Sequence, residues 1–163
     1  MQQKDVIDLY NQLENIGIKI WIDGGWGVDA LLGEQTRPHK DLDIAMEWKD
    51  VPKLRGFLAA QGYKQIKEDS KWNFVLGDES RREIDVHAFI YDDKGNIVEG
   101  IMYPPASLTG IGTIDGYTVR CISPEYMVKF HSGYELKEKD FKDVFALCKK
   151  FNIGLPEEYK RFL

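Results

Sequence analysis

The chain has 163 residues, 43% of them hydrophobic and 30% charged, which is enough for one domain with a real core. Charge interrupts every apolar run well short of the roughly 20 residues a membrane span needs, and the opening MQQKDVIDLY carries acid where a signal peptide is apolar. The 27 acids outnumber the 22 lysines and arginines, and the resulting net charge of −5 argues against a nucleic-acid partner held by charge neutralisation.

Residues Lys4 to Ile16 read as a helix, with Val6, Ile7, Tyr10, Leu13 and Ile16 on one face and Gly17 as the stop. Ile18 to Ile22 is a short apolar strand. Gly24 and Gly25 turn the chain into a short helix, Trp26 to Leu32, that ends at Gly33. Trp21 and Trp26 read as core. A polar loop, Glu34 to Lys40, leads to the strand Asp41 to Met46. Pro52 fits the first turn of a helix running to about Gln61, with Gly62 after it. Tyr63 to Ile66, Trp72 to Leu76 and Glu83 to Tyr91 read as strands, and Asp92 to Gly95 as a hairpin turn leading to Asn96 to Val98.

Gly100 to Gly116 reads as loop with short strand pieces, and its aromatic, Gly-rich part from Met102 to Tyr117 suits a substrate pocket or a dimer interface. Tyr117 to Ile122 is a further strand. Ser123-Pro124 starts a helix carrying Tyr126, Met127, Phe130 and Tyr134. A last helix, about Asp140 to Asn152, puts Phe141, Val144, Phe145, Cys148 and Phe151 on one stripe. Cys121 and Cys148 have no metal-ligand spacing and read as reduced, buried thiols of a cytoplasmic protein. The order predicts an α+β fold, a small mixed sheet flanked by helices. The chain is expected to be one domain over 1–163, with a catalytic core at about 18–91 and a C-terminal helical part at about 123–163.

The chemistry lies on two strands. Alternation puts Asp41 and Asp43 on one face and Leu42 and Ile44 on the other. Two such carboxylates repel unless a cation lies between them, and hard oxygen ligands favour Mg²⁺ held together with substrate phosphates. Glu83 to Phe89 repeats the pattern. If the strands are neighbours, Asp85 joins the pair, as a third ligand or as the base for an attacking hydroxyl. Such a site suits in-line displacement at phosphorus, with two ions roughly 3.5–4 Å apart. Gly24 and Gly25 leave room for a triphosphate against backbone amides at a helix start, and Arg37 and Lys40 can neutralise its charge. His87 reads as a supporting residue rather than a ligand.

At these residues the chain resembles the DNA polymerase β-type nucleotidyltransferase superfamily, whose signature is Gly-Gly or Gly-Ser followed after a spacer by Asp-x-Asp in an apolar setting. Within it, Trp21 to Asp29, Arg37 to Ile44, Ile84 to His87, Cys121 to Ser123 and Phe130 to Tyr134 are similar to blocks of the small lincosamide nucleotidyltransferases. Single-domain aminoglycoside nucleotidyltransferases share the first three blocks. The spacer between Gly25 and Asp41 matches the lincosamide subgroup, whereas Asp140 to Leu147 and the tail after it depart from it.

The resemblance implies a polymerase β-like fold and transfer of a nucleoside monophosphate, AMP from ATP, to a drug hydroxyl with release of pyrophosphate. It implies Asp41 and Asp43 as holders of Mg²⁺, Asp85 as the residue that deprotonates the acceptor, and it is compatible with a homodimer. Two other readings share these motifs: a minimal nucleotidyltransferase acting on a protein or a tRNA, and a nucleotide-binding module without turnover.

Overall fold

Val6, Ile7, Tyr10 and Leu13 form the buried stripe of the first helix, α1 (Gln3–Asn15), as their spacing predicts. The computed structural model describes residues 1–163. Strand β1 (Ile20–Asp23) follows and runs directly into α2 (Gly24–Leu32). Trp26 to Leu31 are all buried, so α2 is an interior helix, packed against neighbours rather than facing water on one side. Its C-terminal carbonyls find a cation: Lys150 donates from Nζ to Leu31 and Leu32, each at 2.9 Å.

The next elements are β2 (Asp41–Glu47), α3 (Val51–Ala59), β3 (Lys64–Ser70), β4 (Asn73–Gly77), β5 (Glu83–Tyr91) and β6 (Ile97–Gly100). After them come β7 (Gly110–Ile114), β8 (Tyr117–Cys121), α4 (Pro124–Phe130) and α5 (Glu138–Phe151). All eight strands form one sheet in the order β3-β4-β5-β2-β1-β8-β7, with β6 paired to β5. It is mixed: β2 runs antiparallel to β1 but parallel to β5, and β1 runs parallel to β8. One contiguous core of 39 buried residues draws on both sheet and helices. No helix is long and apolar enough to cross a membrane.

The sheet is wider than expected because β7 is a full strand where the sequence reads mostly as loop. Its inward positions are Gly110, Gly112 and Ile114, so glycine hides the apolar alternation. Gly112 is needed there, since a Cβ at this position would lie 2.4 Å from the backbone of Ala30 in α2. Two helices also differ from the expected pattern. Helix α4 stops at Phe130 instead of continuing to Tyr134; His131 leaves the helix and its ring Nδ1 bonds the Met127 carbonyl at 2.8 Å. Helix α5 is turned so that Asp140 and Asp143 are buried while Phe145 is 43% exposed. Both acids have partners inside: Asp143 meets Arg37, and Asp140 accepts from the Lys137 amide and the Tyr134 hydroxyl.

Candidate active site

Strand register assembles the acids. Across the parallel pair of β2 and β5, Asp43 stands opposite Asp85 and Asp41 opposite Glu83. Across the antiparallel pair of β1 and β2, Asp43 stands opposite Asp23. The intervening residues Ile22, Leu42, Ile44, Ile84 and Val86 are at most 1% exposed. One face of the three central strands is therefore core, and alternation forces the other to carry the carboxylates.

Asp43, Asp85 and His87 place ligand atoms within 4.8 Å of one another. The His87 Nε2 lies 3.6 Å from Asp43 and 3.5 Å from Asp85. Asp41 lies outside this cluster, one alternation along β2. Burial pushes the Asp43 carboxyl up to about 6, with the nearby His87 ring opposing the rise and the charges of Asp41 and Asp23 adding to it. Burial also raises Asp85, against the pull of His87 and of Asn73, whose Nδ2 donates to Asp85 Oδ1 at 2.7 Å. Burial pulls His87 down, but the neighbouring carboxylates of Asp43, Asp85 and Asp23 outweigh that and hold it above its ordinary value. The hard donors of Asp43 and Asp85, with His87 beside them, fit a divalent ion, and Asp41 lies one alternation further along β2.

The glycine pair sits at the junction of β1 and α2. Gly24 has φ +58°, and a Cβ there would lie 2.1 Å from Oδ2 of Asp43, so the acid occupies the space a side chain would take. Its amide donates to Oδ1 of Asp23 at 2.8 Å, which makes Asp23 the cap of α2. The amides that remain for a phosphate are those of the rest of the first turn, beginning at Gly25. Gly25 is small for an internal reason too: a Cβ there would meet His39 Nδ1 at 2.4 Å and Arg37 Nη2 at 3.1 Å.

His39 is 7% exposed and belongs to a buried clip. Its Nε2 meets Oδ2 of Asp29, while the amide and hydroxyl of Thr36 donate to Oδ1 of Asp29 at 3.1 and 2.6 Å. The His39 ring packs on Trp26 with centroids 4.7 Å apart. The clip ties the loop before β2 onto α2, and so sets the acids of one against the amides of the other. Arg37 is held by Asp143 at 2.8 Å, on the side of α5. Lys40 is paired with Glu83 at 3.3 Å and its side chain is 82% exposed, so it is free to swing.

The widest hollow, about 550 Å³, is not over the acids; Leu32, Thr36, Arg37, Lys142 and Asp143 are among its lining. A smaller one of about 190 Å³ touches Asp23 and is otherwise walled by Ile101, Met102, Tyr103 and Phe130. The latter adjoins the carboxylate row, and two of its lining residues, Met102 and Tyr103, belong to the aromatic, Gly-rich stretch Met102 to Tyr117.

Asp23, Asn73 and Tyr103 escape a reading by motif. Asp23 could have been found, because it alternates with Ile22 as Asp43 does with Ile44. Asn73 and Tyr103 act through pairings distant in sequence and carry no local signal. Trp21 and Trp26, at 4% and 1% exposed, are core as expected. Cys121 and Cys148 are both free and buried.

The chain matches the family model described as aminoglycoside-2''-adenylyltransferase over residues 5–147. It is 30% identical over 150 residues to a lincosamide resistance protein of Staphylococcus haemolyticus, covering 87% of this chain and 91% of that one. A 2''-aminoglycoside nucleotidyltransferase of Escherichia coli is 27% identical over 113 residues, 68% of this chain and 62% of that protein. Among solved structures, the lincosamide antibiotic adenylyltransferase LnuA, lincomycin-bound, superimposes with a TM-score of 0.81 at 28% identity, over 94% of this chain and 99% of LnuA. ANT(2")-Ia, in complex with adenylyl-2"-tobramycin, shares the fold with a TM-score of 0.77 at 20% identity, over 98% and 93% of the two chains. The chain belongs to the aminoglycoside-2''-adenylyltransferase family and is a nucleotidyltransferase, an enzyme that needs a nucleoside triphosphate and a divalent metal.

Proposed function

We propose that this protein transfers AMP from ATP to a hydroxyl of an antibiotic, releases pyrophosphate and so inactivates the drug. The observation that carries the reading is the register of Asp43 opposite Asp85 on parallel strands, beside the start of α2. Asp41 and Asp43 would hold the Mg²⁺, two ions in this reading, with the Asp85 carboxylate beside them on β5. Bound there, the metal supplies positive charge to the triphosphate and to the developing charge at phosphorus.

The first-turn amides of α2 receive phosphate oxygens, and Arg37 and Lys40 close on the triphosphate. Asp85, oriented by Asn73 and raised by burial, takes the proton of the acceptor hydroxyl. The acceptor oxygen bonds to the α-phosphorus, the bond to the bridging oxygen of the β-phosphate breaks, and pyrophosphate leaves. Four of the five residues lining the hollow beside Asp23 are hydrophobic, which suits an amphipathic lincosamide better than a polycationic aminoglycoside.

The reaction belongs in the cytoplasm, where ATP and Mg²⁺ are supplied. A homodimer would cover Ile111 and Tyr117, at 62% and 54% exposed, and sedimentation of the full chain tests for it. The deciding experiment incubates the protein with ATP, Mg²⁺ and a panel of lincosamides and aminoglycosides. A drug gaining the mass of AMP, with one pyrophosphate released per transfer, is the expected outcome. No adduct with any drug, while ATP still binds, would sink the antibiotic assignment.

A further inference from the structure

Asp23 is a fourth carboxylate on the active face, and the reaction as derived above gives it no part. It stands opposite Asp43, and its charge contributes to raising both Asp43 and His87. An unrestrained anion there would be free to turn toward the Asp43–Asp85 pair, where it would compete with triphosphate for the same cations. The structure shows what prevents this. Oδ1 of Asp23 accepts the Gly24 amide at 2.8 Å, and Oδ2 accepts the hydroxyl of Tyr103 at 2.8 Å.

Tyr103 comes from the far side of the chain, 80 residues on. It is 3% exposed, and its ring is wedged between Phe89 and Phe130, with centroids at 5.7 and 5.6 Å. Burial raises its phenol well above the ordinary value, so it stays a donor. A core tyrosine needs some hydrogen-bond partner; this one uses the carboxylate that caps the helix facing the triphosphate.

We propose that Tyr103 is a positioning residue for nucleotide binding: its hydroxyl holds Asp23 in the cap of α2 and away from the metal-holding pair. The proposal rests on the nucleotide site derived above but not on the identity of the acceptor. Tyr103→Phe removes one oxygen and keeps the packed ring, so the fold is retained. The prediction is then specific to charge. In the Tyr103→Phe protein the Asp23 carboxylate loses one of two donors, and Mg²⁺-ATP binds about tenfold more weakly. In an Asp23→Asn background the amide oxygen still accepts from Gly24 but no anion remains to be restrained. There, Tyr103→Phe weakens binding by less than about twofold.

The test is calorimetric titration of a non-hydrolysable ATP analogue with Mg²⁺ into the unaltered chain, Tyr103→Phe, Asp23→Asn and the double variant, with no acceptor present. Circular dichroism confirms that each is folded. Equal affinity for the unaltered chain and Tyr103→Phe overturns the proposal. So does an equal loss in both backgrounds, because Tyr103 would then not act through Asp23. A failure of the antibiotic assay leaves these four affinities readable, whereas absence of nucleotide binding in the unaltered chain overturns the site and the proposal together.

Discussion

The two sides of the active face are built by different means. On the nucleotide side, β1, β2, β5 and α2 carry Asp23, Asp41, Asp43, Asp85 and the glycine pair on regular backbone, and strand register fixes what stands opposite what. On the proposed acceptor side, Ile101, Met102, Tyr103 and Phe130 line one hollow from a loop and a helix end, with the Tyr103 and Phe130 rings packed edge to face. The first side is defined by hydrogen-bonded periodicity and the second by side-chain contact. Chemistry that must place a phosphorus atom within tenths of an ångström uses the first kind of scaffold. Recognition that must adapt to different molecules uses the second.

Substitutions on the proposed nucleotide side should have the largest effects. Asp43→Asn removes one negative charge from the proposed metal site, and kcat is expected to fall on the order of 10³-fold with circular dichroism unchanged. Turnover near that of the unaltered protein would refute the metal assignment. Asp85→Asn tests a different role on the same face. It should lower kcat by roughly 10²–10⁴-fold while leaving the KM for ATP within a factor of about two, as removal of a proton acceptor does. A large rise in the ATP KM would instead make Asp85 chiefly a metal ligand.

The same division explains what was legible in the sequence. Asp41 and Asp43 announce themselves because a period of two beside an apolar run leaves no other arrangement, and the likeness of Glu83 to Phe89 makes β5 a natural neighbour. The Gly-Gly pair reads correctly as a junction, but not its reason: Gly24 yields its space to Asp43 and Gly25 to His39, residues met only after folding. Asp29 and His39 of the clip lie inside the matched motifs and Thr36 just outside them, yet only coordinates show that these residues bind one another. Strand β7 is hidden because Gly110 and Gly112 occupy its inward positions, and the stripe of α5 holds at Val144 and Cys148 but fails at Phe145, while Asp140 and Asp143, buried with partners, join the inward face. Tyr103 is illegible for a third reason, since its contact with Asp23 spans 80 residues.

Removing the metal separates the two sides by a different measurement, because only the proposed nucleotide side should respond. With its carboxyl raised from 3.8 to about 6, Asp43 favours the folded state while protonated, and that contribution is lost as pH rises through about 6. His87, also held above its ordinary value, acts in the same sense. In EDTA the protein should therefore lose on the order of 1–3 kcal/mol of stability between pH 4 and pH 7 from this cluster. Asp43→Asn cannot ionise and escapes that loss. Melting curves across this range should show the inactive variant overtaking the unaltered protein above pH 6, with Mg²⁺ narrowing the gap. Parallel curves at all pH values would mean that Asp43 is not held protonated by its surroundings.

The smallest effect is expected on the acceptor side. Met102 is 64% exposed at the rim of the hollow beside Asp23, so it contributes little to the core. Met102→Ala should change stability by less than about 0.5 kcal/mol. A flexible thioether at a pocket rim nonetheless covers an apolar part of whatever enters, and burying one such side chain against a ligand is worth on the order of 1 kcal/mol. The KM for the acceptor should accordingly rise about three- to tenfold, while the KM for ATP stays put, because no part of Met102 belongs to the strands that hold the acids. If both constants move together, the hollow beside Asp23 is not a separate acceptor pocket, and the two sides of the face must be treated as one site.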